Sequence, residues 1–172
     1  MTVYCCAKEI EDMNISLKEG SRQLDMTIKG YECTVEELKT YYDDEKPDIN
    51  DLNWLDIRFR YSDGKTVREC VDPCIQTWEY GNVIEGLEEL LAGKVSQFTE
   101  EDIWLMEPVM RFVANAAENG NFSLKVGVWP EGKMGEDIDS VIIEQTVTAA
   151  ELTSIIAKLR LGRKCFPARK GE

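Results

Sequence analysis

Apolar and polar residues alternate over much of this chain. Met13, Ile15 and Leu17 alternate with polar neighbours, Lys18-Glu19-Gly20-Ser21 is turn-like, and Leu24, Met26 and Ile28 alternate with Asp25, Thr27 and Lys29. A period of two marks strands with one buried face, so a hairpin is expected here. From Trp54 to Tyr61, Leu55, Ile57, Phe59 and Tyr61 fall on one side, with Asp56, Arg58 and Arg60 on the other. Asp63-Gly64 then predicts a type I′ turn, in which both central residues take positive φ, and an antiparallel return over 66–72. Asn119-Gly120 is a second turn signal, followed by alternation from Phe122 to Val128; Asp139 to Thr146 reads as a further strand. Between them, Thr99 and Asp102 suit a helix cap. Pro108 and the even-numbered series Met106, Met110, Phe112 and Ala114 favour a strand from about 109 to 116.

The period changes twice. Val83, Ile84, Leu87, Leu90 and Leu91 recur at helical spacing, with Asn82 and Glu85 as the expected cap and Gly93 as the stop, leaving Glu85, Glu88 and Glu89 on the wet face. Thr148 and Glu151 form a second capping pair ahead of Leu152, Ile155, Ile156 and Leu159, with Leu161-Gly162 closing that helix. Residues 32–53 lose all period and read as a long acidic loop with one helical turn near Val35 to Leu38. The expected fold is α+β: an antiparallel, hairpin-rich sheet of about seven strands with two amphipathic helices on one face. One domain is expected over 1–172, with residues 1–20 as an N-terminal extension and first strand and 162–172 as a basic tail.

The chain of 172 residues has no histidine, 33 Asp and Glu against 20 Lys and Arg, and a net charge of −13. Without histidine there is no Ser-His-Asp or Cys-His nucleophile and no His-ligated zinc. The negative charge disfavours a nucleic-acid backbone as ligand and favours a basic partner. The start has no basic segment and no apolar run of signal length, and no stretch is long enough to span a membrane, so a cytoplasmic protein is expected. Six cysteines at irregular spacing read as reduced thiols. Cys70 and Cys74 read as small apolar side chains at a strand end rather than a metal knuckle. No metal, cofactor or catalytic residue is assigned.

Charge is unevenly placed. The segment from Lys158 to Glu172 carries +5, so the body carries −18, with nine acidic and two basic residues over 32–56 and eight and one over 79–107. Such a surface attracts a basic protein and speeds encounter. The acidic run with its flanking aromatics, Tyr41, Tyr42, Asp43, Asp44, Glu45, Asp48 and Asp51, is the candidate partner-binding site. Aromatic anchors beside charge suit an interface.

Gly30-Tyr31-Glu32, then Asp51-Leu-Asn-Trp-Leu-Asp-Ile-Arg-Phe-Arg-Tyr-Ser-Asp-Gly64, then Cys74-Ile-Gln-Thr leading into Val83-Ile-Glu-Gly-Leu-Glu-Glu-Leu-Leu91, resemble the WapI-type bacterial immunity proteins. Glu107-Pro108, the Asn121 to Val128 strand, and Gln145-Thr146-Val147 before a helix ending near Phe166-Pro167 extend the likeness over about residues 24–167. Asn53-Trp54-Leu55 is its most distinctive motif. The resemblance implies a non-enzymatic protein that binds and blocks the toxic C-terminal domain of a YD-repeat polymorphic toxin, a basic nuclease domain being the expected partner. The rival expectation is a cytosolic regulatory domain that binds a small ligand or partner protein.

Overall fold

The computed structural model describes residues 7–41, 48, 50–103, 105–107 and 109–170. A short helix α1 (Ala7–Asp12) precedes the hairpin β1 (Ile15–Glu19) and β2 (Arg22–Tyr31). After the short helix α2 (Val35–Tyr41) come β3 (Trp54–Ser62), β4 (Val67–Gln76) and the long helix α3 (Thr77–Leu91). The second half runs β5 (Gln97–Phe98), α4 (Glu100–Ile103), β6 (Met110–Ala116), β7 (Phe122–Val128), β8 (Val141–Val147) and α5 (Ala149–Cys165).

The expected α+β class holds, but the strands divide into two four-stranded antiparallel sheets, β1-β2-β3-β4 and β5-β6-β7-β8. Periodicity cannot report that division. The helix α3 carries the chain from one sheet to the other. The first hairpin meets β8: the Lys18 N–H of β1 donates to Gln145 Oε1 at 2.7 Å, and Arg22, at the start of β2, donates to the Ile142 carbonyl. Both inner faces, with α3 and α5, share one apolar core in which Leu17, Leu24, Phe59, Leu87, Leu124, Ile143 and Leu152 are fully buried. Each such side chain contributes about 1.5–3 kcal/mol.

Four local expectations are corrected. The turn after β3 is not type I′: Gly64 alone has positive φ, and Asp63 instead accepts the backbone N–H groups of Lys65 and Thr66, both at 2.7 Å. The side chain thus sets the turn. Helix α3 starts before Asn82, because Glu79 reaches back to the Gln76 N–H at 2.6 Å and opens the helix there. Asn82 instead donates from inside the helix to the Ile103 carbonyl. Helix α5 continues through Gly162 to Cys165, and its glycine serves packing: a Cβ there would lie 2.5 Å from Tyr80 Oη and 2.9 Å from Ile28 Cδ1. Cys165 is disulfide-bonded, while Cys33, Cys70 and Cys74 are free, since distance along the chain does not report distance in the fold.

Other readings match. Gly93 at φ +69° ends α3, with Lys94 N–H donating back to the Glu89 carbonyl at 2.9 Å. The Thr148 and Glu151 capping box opens α5. Thr99 and Asp102 cap the single turn α4, and β6 follows as expected from about residue 110.

Candidate partner-binding face

One end of the first sheet gathers carboxylates from separate elements. Glu32 follows β2, and its N–H donates to the Trp54 carbonyl at 3.0 Å, which ties it to the start of β3. Asp56 sits at the irregularity in β3, opposite Gly30 on one side and Pro73 on the other. Asp72 of β4 lies buried at the same end, and Asp51 opens the 3-10 turn Asp51–Asn53.

The electrostatics follow from this crowding. Partial burial, then the charges of Asp56, Asp51 and Asp72, push the Glu32 carboxyl above its ordinary value. Burial and the Asp72 charge do the same to Asp56. The Cys33 thiol is raised by burial and then by Glu32, Glu37, Asp56 and Asp51. Of these acids, Asp72 has a cation: Lys133 Nζ reaches it from the loop after β7. Glu32 and Asp56 have none among the described residues.

The basic tail passes beside this end without neutralising it. Arg169 stacks 3.5 Å from the Tyr31 ring centroid and donates to the carbonyls of Cys33 at 2.6 Å and Leu52 at 3.5 Å. Asn53 holds the tail from both sides, accepting the Arg169 N–H at 2.7 Å and donating to the Arg169 carbonyl at 3.1 Å. Its Oδ1 also takes the Thr77 hydroxyl at 3.1 Å. The most distinctive motif residue is therefore a buried clamp joining the tail, β3 and the start of α3.

Of the seven candidate residues, Tyr41 is the last of α2, and Tyr42, Asp43, Asp44 and Glu45 lie outside the described residues. Asp48 is exposed and accepts the Asn50 N–H at 2.9 Å; its carbonyl takes the Asp51 N–H at 3.1 Å. The fold brings Asp51 into the field of Glu32, and adds Asp56 and Asp72, which the sequence reading left as strand residues. The signal for Asp56 was its place on the wet side of the clearest strand.

No nucleophile is activated here. Burial first, helped by Asp72, raises the Cys70 thiol to about 11, and burial raises Cys74 well above its ordinary value, so both stay protonated. Among the described residues no group of three or more His, Cys, Asp or Glu is placed to hold a metal. What this end can do is receive cationic groups.

The family comparison decides the class. The model of the WapI-like immunity protein family matches residues 15–167. The chain belongs to the WapI-like immunity protein family. That family is non-enzymatic and neutralises toxins, so this immunity protein binds a cognate toxin protein. No curated protein matches the chain. Among the described residues no helix is long and apolar enough to cross a membrane.

Proposed function

We propose that this immunity protein acts in the cytoplasm of the producing cell, neutralising a basic nuclease toxin by covering its phosphate-binding groove with the acidic end of the first sheet. The crowding of Glu32, Asp51, Asp56 and Asp72 carries this reading. Lysine or arginine side chains of a partner relieve the mutual repulsion of these carboxylates, and the complementary field accelerates encounter. In the sequence, Tyr41, Tyr42, Asp43, Asp44, Glu45 and Asp48 lead into Asp51 and are the further residues assigned to the partner. Occlusion needs no catalytic group from the inhibitor.

The test is co-expression with the cognate toxin domain. Growth is rescued and a complex survives gel filtration at moderate salt. Absence of both rescue and complex contradicts the proposal.

A further inference from the structure

Two large apolar side chains near this acidic end are left in solvent: Trp78 at 41% and Met106 at 59% exposure. They are linked through Glu79, the neighbour of Trp78, whose buried carboxylate accepts the Met106 N–H at 2.5 Å. The indole is held in place as well. Trp78 Nε1 donates to Gln76 Oε1 at 2.5 Å, and Gln76 is itself fully buried. The other end of that carboxamide, Nε2, is a buried donor with no acceptor among the described residues. An oriented, exposed indole is costly for an isolated protein, and Trp is the side chain most enriched at interface hot spots.

Position and charge identify the occupant. Gln76 pairs with Trp54 across β3 and β4, and the Trp54 carbonyl takes the Glu32 N–H, so a short run of contacts leads from the indole to the carboxylate end. Glu107 adds an exposed carboxylate next to Met106. Of the cations at the carboxylate end, Lys133 is engaged on Asp72 and Arg169 on backbone carbonyls. An exposed indole near an acidic surface accepts an arginine or lysine side chain by cation–π contact.

We infer that Trp78 and Met106 form the apolar anchor on which a basic protein partner seats, its cationic side chains lying across the indole and onto Glu32, Asp56 and Glu107. This rests on the immunity reading and names the centre of its interface, which the sequence had placed on the Tyr41 to Asp51 run.

The experiment measures binding of the full-length protein to the cognate toxin domain for wild type, Trp78→Ala, Trp78→Phe and Met106→Lys, with Val67→Ala as a distant exposed apolar control. The expected loss is about 30-fold or more for Trp78→Ala, mostly in dissociation rate, and about tenfold for Met106→Lys; Trp78→Phe recovers part of it and the control stays within about twofold. Met106→Lys keeps the inference testable should Trp78→Ala unfold, since that side chain is largely in solvent. Wild type that binds while Met106→Lys and every folded Trp78 variant match it overturns the anchor and leaves the immunity reading standing. Wild type that does not bind overturns both. Wild-type self-association abolished by Met106→Lys assigns the patch to a second copy and overturns the basic partner.

Discussion

Two acidic stretches of similar composition meet opposite fates in this fold. Residues 79–107 carry eight acids and one lysine, and residues 32–56 carry nine acids and two lysines. In the first, Glu79 is buried and accepts two backbone N–H groups, from Gln76 and Met106. Glu88 meets Arg160 Nε at 2.8 Å and Glu85 meets Arg163 at 3.5 Å, while Glu89 lies 3.9 Å from Lys94. The basic stretch that opens near Lys158 thus neutralises α3, and the expected wet face is an ion-paired helix seam. At the sheet end, by contrast, Glu32 and Asp56 repel Asp72 and each other, and the tail's Arg169 is spent on backbone carbonyls. A local count of charge therefore does not locate a recognition surface. What matters is which acids the fold leaves without cations.

The largest way to break the comparison is to push α5 away from α3. Gly162→Ala drives a Cβ into Tyr80 and Ile28 and should cost about 2–3 kcal/mol, a drop of about 5–10 °C in Tm for a chain of this size. Thermal unfolding checks it. A smaller effect comes from Arg169→Ala, which removes the stacking on Tyr31 and the donors to Cys33 and Leu52; about 1 kcal/mol of stability should go, measured by urea unfolding.

Removing repulsion acts in the opposite direction. Because folding raises the Glu32 and Asp56 pKa values, these ionised groups oppose folding at neutral pH, and that opposition fades as pH falls through their raised values. The double variant Glu32→Gln with Asp56→Asn should gain about 0.5 kcal/mol at pH 7, solvent screening included, and the gain should vanish near pH 4. Asp63 runs the other way. Held down to about 2 by the Thr66 and Lys65 N–H groups, it supports folding above the ordinary carboxylate range and loses that support as pH falls toward 2. The seam itself contributes an effect of the same small order: Glu88→Gln should cost about 0.2–0.5 kcal/mol, with the exchanged pair Glu88→Arg and Arg160→Glu recovering most of it in a double-mutant cycle.

The sequence carried those features whose signal is local. Alternation placed β3 and β6–β7, and Thr148 with Glu151 placed the start of α5. Asn82 misled because a cap was sought next to the first apolar pair, whereas Gln76 and Glu79 open α3 at Thr77, five residues before Asn82. Gly162 misled because glycine ends helices for conformational reasons and enters them for close packing, and only the neighbours Tyr80 and Ile28 distinguish the two. The pairing of Glu88 with Arg160, 72 residues apart, was not legible, and neither was the convergence of Glu32, Asp51, Asp56 and Asp72. Of the candidate site, the acidic character and Asp51 were readable; Asp56, Asp72, Trp78 and Met106 needed the fold.

The most direct test is the association rate with the cognate toxin domain, followed over a range of salt for wild type, for Glu32→Lys with Asp56→Lys, and for Glu85→Gln with Glu88→Gln. Wild type should associate fast at low salt with a steep salt dependence; the sheet-end reversal should slow it about tenfold or more and flatten that slope, while the helix-seam variant stays within about twofold of wild type. Equal rates and slopes for wild type and the sheet-end reversal, or a larger loss from the helix seam, would contradict the assignment of recognition to the end of the first sheet that holds Glu32 and Asp56.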